Sequence, residues 1–323
     1  MTPKFVKEKL GEPQSIAAGT EKGLITAASK NQKILIVLND LGSPGLNWFL
    51  ENAPKRVIEL GIAEANGAVV AAGLASEGYM PFWHTFGFCI GRAYNQIRQS
   101  ICIDRFNVKM LFMGGLWGQD GISHLCFEDI AAMRALPNMV IVVPADAVEA
   151  EKALLAITDY VGPVYYRIEG LVPPFTPLVF EDGYEFELGK AATVREGSDA
   201  SIIACGTIVA EALMAAELLK KDGIDARVID MSTIKPLDEE TVIKAAKETG
   251  CVITAENHSI IGGLGEAVGT VLAENNLGPL ARIGVRDEFG QSAIDTPDCL
   301  KTYLNLSYKD IAAKVAETLK KKR

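Results

Sequence analysis

The sequence predicts an α/β protein of two domains, each a mainly parallel sheet flanked by helices. Three observations carry that expectation. Short, almost continuous Val/Ile/Leu runs alternate with segments of helical period, the pattern of strands covered on both faces. The alternation stops at Leu171-Val-Pro-Pro-Phe-Thr-Pro177, where three prolines remove backbone donors and fix φ, and restarts beyond it. A length of 323 residues suits about two domains. The expected division is 1–177, ending in the Pro-rich linker 171–177, and 178–323.

In chain order, residues 33–39 read as a buried strand and the Ala-rich stretch 62–74 as a helix that Gly78 ends. Residues 108–113 form the next strand, leading into the turn Gly114-Gly-Leu-Trp-Gly-Gln-Asp-Gly121. A helix over 127–136 is stopped by Pro137-Asn138. Strand 140–143, helix 147–157 and strand 164–168 follow. Past the linker, strands at 200–204, 226–230, 252–255 and 281–285 alternate with helices at 209–221, 238–248, 265–274 and 308–320. Such alternation predicts parallel sheets with right-handed crossovers.

Composition narrows the function. Hydrophobic residues at 49% and charged residues at 23% are globular values with ample core material. A formal charge of −9 argues against a nucleic-acid surface, which needs clustered positive charge. The basic end Lys320-Lys-Lys-Arg323 reads as a solvated helix terminus. No apolar run reaches the roughly 18–20 residues that span a bilayer, and the N-terminal stretch lacks a signal-peptide core. The six cysteines form no CxxC pair and read as small buried hydrophobes in a reducing, cytoplasmic setting. Three widely spaced histidines give no metal site. No phosphate loop and no Gly-x-Ser-x-Gly elbow occur.

In open α/β sheets ligands bind at the carboxyl ends of strands, so the loops there carry the candidates. Glu64, near the start of an apolar helix in Gly61-Ile-Ala-Glu-Ala-Asn66, is either a dipole-stabilising surface carboxylate or a buried carboxyl of raised pKa. Pro81-Phe-Trp-His-Thr-Phe-Gly-Phe88 is either core or a platform for a flat heterocycle. In Gly118-Gln-Asp-Gly-Ile-Ser-His124, Asp120 and His124 serve either turn chemistry, with Ser123 as a helix cap, or hydrogen bonds to a hydroxylated substrate. Arg167 either grips an anionic substrate group or pairs with a carboxylate such as Glu169.

Taken in order, these segments resemble the C-terminal half of transketolase, and above all the separate C-terminal subunit of split, two-gene transketolases. Gly61 to Asn66 with Ala71-Ala-Gly-Leu-Ala75 carries the likeness, as do Gly91-Arg-Ala-Tyr-Asn-Gln-Ile-Arg98, Gly118 to His124, Pro137-Asn-Met139 and Val143-Pro-Ala-Asp146. Lys235-Pro-Leu-Asp238 and Glu256-Asn-His-Ser-Ile-Ile-Gly-Gly-Leu-Gly265 extend it into the second half. The resemblance implies a thiamine diphosphate-binding pyrimidine domain followed by a transketolase C-terminal domain. It gives Glu64 the catalytic bond to N1′ of the aminopyrimidine, Phe86 and Phe88 the stacking surface, and Asp40 a place near the cofactor. Asp120 and His124 match ketose-binding residues, His124 with a catalytic part, and Arg167 matches a phosphate-gripping arginine.

Three departures qualify the likeness. No basic residue stands at Ala17 or Ala18, where the family carries a phosphate-binding arginine. A phosphate-contacting serine is replaced around Ser43-Pro44, and a histidine by Phe112 or Met113. They point to a non-standard ketose or aldehyde, unphosphorylated or with another anionic tail held by Arg167. The Gly-Asp-Gly…Asn motif through which the family's Mg²⁺ holds the diphosphate has no counterpart here. The resemblance therefore implies an N-terminal-half partner subunit in an α2β2 assembly, with this chain alone a dimer without activity. The alternatives are the β subunit of a 2-oxoacid dehydrogenase E1 component, a deoxyxylulose-phosphate-synthase-like activity and a non-catalytic paralogue.

Overall fold

A computed structural model of the chain describes residues 5–116, 121–169, 175–290 and 301–322. The first half runs β1 (Pro13–Gln14), α1 (Ile16–Lys30), β2 (Ile34–Leu38), α2 (Leu46–Asn52), β3 (Val57–Glu59), α3 (Glu64–Ser76) and β4 (Met80–Phe86). It continues through α4 (Ile90–Gln96), β5 (Lys109–Met113), α5 (Asp129–Arg134), β6 (Val140–Val142), α6 (Ala147–Asp159) and β7 (Val164–Ile168). The second half holds β8 (Thr176–Pro177), β9 (Ala192–Arg195), β10 (Ala200–Ala204), α7 (Ile208–Lys221), β11 (Ala226–Asp230) and β12 (Thr233–Lys235). It ends with α8 (Glu239–Thr249), β13 (Val252–Ser259), α9 (Leu264–Glu274), β14 (Leu280–Val285) and α10 (Tyr308–Lys322).

Two mostly parallel sheets result. Seven strands in the order β12-β6-β7-β5-β4-β2-β3 form the first, and only β12 runs antiparallel. Five strands in the order β14-β13-β10-β11-β9 form the second, with β9 antiparallel at its edge. Every residue of β2, β5, β7 and β10 is buried, as expected of strands covered on both faces, and the polar exceptions to their apolar runs, Lys109, Arg167 and Ser201, are buried with them. Among the described residues the structure adds six strands that the runs do not announce, β1, β3, β4, β8, β9 and β12, of which two bear on the first sheet's centre and its junction with the second half. The aromatic stretch 80–86 is β4, hydrogen-bonded between β2 and β5. From the second half, β12 crosses to extend the first sheet beside β6. Of the Pro-rich stretch, 171–174 lie outside the described residues, and Thr176–Pro177 pair antiparallel with β1.

The halves are joined by buried carboxylates as well as apolar packing. Asp146 caps α6 by accepting from Glu149 N at 2.8 Å, and its other oxygen accepts from Val179 N and Phe180 N at 2.6 and 2.8 Å. Glu149 accepts from Ala145 N at 2.7 Å and from the Tyr184 hydroxyl at 3.2 Å. Opposite it stands Asp230, fully buried at the end of β11. Burial, and then the neighbouring acid, pushes the Asp230 carboxyl far up; burial pushes Glu149 up as well. The pair therefore keeps a proton that the unfolded chain releases, so stability falls as pH rises from the ordinary carboxylate range through neutrality. Asp230→Asn holds no titratable proton there. Thermal unfolding between about pH 5 and about pH 8 should show a declining Tm for the natural chain and a flatter profile for the variant. An equally steep decline in both would assign the pH dependence elsewhere.

Candidate active site

The parallel strands of the first sheet end at one edge, where open α/β sheets take their ligands. Glu64 opens α3 there and is 6% exposed. Its Oε1 accepts from the Cys89 thiol at 3.1 Å, and Oε2 lies 3.5 Å from Arg92, whose own side chain is 68% exposed. Burial pushes the Glu64 carboxyl up, but the Cys89 thiol, its backbone N–H and Arg92 together outweigh burial, and the net shift is downward. The buried alternative for Glu64 holds; the raised pKa attached to it is corrected, because burial comes with donors. The same pairing pushes the Cys89 thiol up to about 12, chiefly through burial.

A relay fixes the approach to Glu64. Trp83 Nε1 donates to Asn39 Oδ1 at 2.7 Å, and Asn39 Nδ2 donates to Gly61 O at 2.9 Å. A Cβ at Gly67 would stand 2.5 Å from Asn39 Oδ1 and 2.8 Å from Trp83 Nε1, so glycine is what lets α3 lie this close. Asp40 is exposed with φ +55°, and its N–H donates to Glu59 Oε1 at 2.8 Å; the same oxygen accepts from Gly61 N.

Phe86 and Phe88 stack on each other, with centroids 5.2 Å apart and planes at 22°. His124 packs edge-on against both, at 5.2 and 4.9 Å. Ser123 does not cap a helix; its hydroxyl meets His124 Nδ1 at 2.9 Å. The structure thus gathers Phe86, Phe88 and His124, and Cys89 links this group to Glu64. Asp120 lies outside the described residues.

Arg167 requires a correction. Its side chain is wholly buried, and all five N–H donors are engaged. Nε and Nη2 bond Asp129 at 2.8 Å each, Nη1 bonds Glu169 at 2.5 Å and Asn257 O at 2.7 Å, and Nη2 also reaches Cys126 O at 3.1 Å. Burial alone would lower its pKa, yet Asp129 and Glu169 carry it upward. No donor is left for a substrate, so the carboxylate-pairing alternative is the one realised.

Cys89 and Arg92 escaped the residue-by-residue reading, because an isolated cysteine reads as an apolar filler and Arg92 as part of a helix face. Asp129 and His258 did too, since their partners Arg167 and Ala131 lie far away in sequence. Among the described residues no cluster of three or more His, Cys, Asp or Glu side chains can hold a metal, and no helix is long and apolar enough to cross a membrane. Among the described residues no two cysteines are joined by a disulfide. A buried carboxylate and a stacked aromatic pair therefore stand in one region, linked through Cys89.

The first sheet thus brings a carboxylate, stacked aromatics and an imidazole to the strand-end edge where open α/β proteins bind small molecules. Comparison with known proteins gives the family. The transketolase pyrimidine-binding domain model matches residues 12–169, and the transketolase C-terminal domain model matches 189–311. A 6-deoxy-6-sulfo-D-fructose transketolase subunit from Clostridium sp. (strain MSTE9) is 41% identical over 93% of this chain and 92% of that protein. One of the subunits of an apulose-4-phosphate transketolase from Phocaeicola vulgatus is 40% identical, covering 82% of this chain and 85% of that one. Among solved structures, a split-gene transketolase described as an inactive β4 tetramer superposes with TM-score 0.88 at 40% identity, covering 96% of this chain and 99% of that one. The chain belongs to the transketolase family.

Removing the thiol donor tests the electrostatics of Glu64. In Cys89→Ala the carboxyl loses a buried hydrogen bond and should titrate higher, read by carboxyl ¹³C NMR on the full-length chain with Glu64→Gln for assignment. An unmoved titration would deny the thiol its part.

Proposed function

We propose that this chain is the sugar- and pyrimidine-binding half of a split transketolase, which moves a two-carbon ketol unit from a ketose to an aldose once joined to an N-terminal-half subunit. The observation that carries this reading is Glu64, buried at the head of α3 and tied through Cys89 to the stacked Phe86–Phe88 pair beside His124. Thiamine diphosphate, held on its diphosphate side by the partner with Mg²⁺, supplies the nucleophilic carbon that carries the transferred unit. Glu64 holds a proton at the ring nitrogen N1′, and the buried site keeps water from competing for it. Phe86 and Phe88 set the plane of the pyrimidine. His124, half-buried at that platform, donates to or accepts from the sugar oxygens near neutral pH, with Asp120 as its companion and Asp40 lining the cofactor edge. The expected assembly is α2β2. The solved split-gene relative, an inactive β4 tetramer by its description, supports a chain that self-associates without turning over.

Activity is tested on the chain alone and mixed with its N-terminal-half partner, thiamine diphosphate and Mg²⁺. The single chain should transfer no ketol unit, the mixture should, and Glu64→Gln should lower the rate of the mixture by roughly 10²–10⁴-fold. Turnover by the single chain would overturn the division of labour.

The substrate follows from what grips its tail. Ala17, Ala18 and Pro44 offer no cation, and Arg167 is consumed, so the ordinary phosphate grip is missing from these positions. Relatives named for a sulfonated hexose and for apulose 4-phosphate support a class of subunits that serves differing tails. A reconstituted assay comparing xylulose 5-phosphate and ribose 5-phosphate with unphosphorylated or sulfonated ketoses should favour the latter. Full transketolase rates on the standard phosphate pair would exclude this reading.

A further inference from the structure

The second half of the chain supplies none of the residues assigned above, yet it holds α5 at both ends. At the N-terminus, Ala131 N donates to His258 Nε2 at 3.2 Å, which satisfies one of the free donors of the first turn. His258 lies at the end of β13, and its Nδ1 donates to Ser259 O at 2.7 Å, which fixes the tautomer with Nε2 as acceptor. Ser259 N donates to Phe127 O at 2.7 Å, and Arg167 bridges Asn257 O to Cys126 O and Asp129. At the C-terminus, Lys235 Nζ donates to Arg134 O and Leu136 O at 2.9 and 2.6 Å, while Arg134 reaches back to Gly262 O and Gly263 O. Leu125 and Phe127 pack in the apolar cluster built mainly by the second half.

This grip falls immediately after His124. Gly115 N donates to Cys126 O at 2.9 Å, so Cys126 is also the far anchor of the segment that returns to β5. A Cβ at Gly115, where φ is +76°, would stand 2.7 Å from the Asn257 amide nitrogen, which requires glycine. Besides the Tyr165 hydroxyl on Asp129, these ties from residue 126 to residue 131 end on β13 or on a residue that β13 touches.

We infer that the C-terminal domain takes part in ketol transfer by positioning His124, and that His258 is the positioning residue, acting through α5 as a buried acceptor from the first half's own backbone. His258 touches no substrate. It sets where residues 126–131 begin, and these set where the His124 ring meets Phe86 and Phe88. Replacing the acceptor by an apolar group leaves the part-buried Ala131 N–H without its partner, and a shift of α5 with the segment that precedes it relieves the loss. This inference rests on the sugar-handling role proposed for His124, and its consequence for turnover is steep, because a displacement of about 1 Å can cost on the order of 10²-fold in rate.

The test uses His258→Leu, His258→Gln, which restores an acceptor, and Lys235→Met at the far end of α5. The chain has three histidines, so the His124 ring resonances can be assigned with His124→Asn and followed in the full-length chain without any assay. His258→Leu should move the His124 ring signals out of the shift imposed by Phe86 and Phe88, while His258→Gln should leave them in place. With the partner subunit, kcat/KM for the ketose should fall on the order of 10²-fold in His258→Leu and recover in His258→Gln. Thiamine diphosphate affinity should stay within about 2-fold, because its residues lie on other elements. Should His258→Leu not fold, Lys235→Met carries the same readouts, with a smaller shift in the same direction. Unmoved His124 signals in a folded variant would overturn the inference. Moved signals without any ketol transfer by the natural reconstituted enzyme would uphold the positioning and fail the proposed function instead.

Discussion

The structure turns on one buried guanidinium. Arg167 closes β7 in the first sheet and spends its five donors on two carboxylates and two backbone carbonyls. Asp129 is the first residue of α5, so one pair of bonds fixes where that helix begins. Glu169 passes the contact to Thr207, accepting from its N–H at 2.9 Å and its hydroxyl at 2.8 Å just ahead of α7. Asn257 O places the end of β13 on the same cation. A buried ion group often contributes little net stability against an apolar substitute of equal volume, because desolvation offsets attraction. What Arg167 supplies is direction: three elements from two sheets meet at fixed angles because its donors are planar and rigid.

Two rigid arms then converge on the candidate site. One comes through the first sheet, Trp83 to Asn39 to Gly61, and delivers Glu64 at the head of α3. The other comes from the second sheet through Arg167 and Asp129 to α5 and delivers His124. They meet at the Phe86–Phe88 stack, which leans on the imidazole from one side while Cys89 holds the carboxylate on the other. Neither arm includes a flexible side chain at its critical joint. An indole, an amide, a guanidinium and a carboxylate each offer hydrogen bonds in a plane, and each is buried. Small errors in backbone placement would break those bonds, so the packing that satisfies them also limits the positions open to Glu64 and His124.

Much of the fold is legible because burial on both faces leaves an almost continuous apolar run, as in 34–38, 110–113, 164–166 and 202–204. β4 evades that signal: Pro81, His84 and Thr85 interrupt its hydrophobicity, yet the sheet buries all three, the imidazole with its pKa lowered to about 4 chiefly by burial. β12 evades it because its pairing partner lies about ninety residues earlier, and nothing local in Thr233-Ile-Lys235 announces a neighbour in the other sheet. The site divides the same way. Glu64, Phe86, Phe88 and His124 stand in motifs whose spacing is local. Asp129 and His258 acquire meaning only through partners 38 and 127 positions away, at Arg167 and Ala131. Arg167 shows the converse: its motif is plain in sequence, but which anion it meets is decided by tertiary contact.

That distinction bears on substrate chemistry. For Arg167 to take a phosphate it would have to surrender bonds to Asp129 or Glu169, leaving a carboxylate buried without its counter-charge. Breaking such a pair costs about 3–5 kcal/mol, whereas each charge-assisted bond gained contributes about 1.5–3 kcal/mol. The released carboxylate would also stand beside the incoming anion and repel it. The exchange is close to even and would loosen α5, the element that follows His124. An arginine that organises the scaffold cannot also serve as a sugar tail's anchor without undoing the geometry that brings the tail to it. Recognition of an anionic tail must therefore fall to groups that are not already holding the two sheets together.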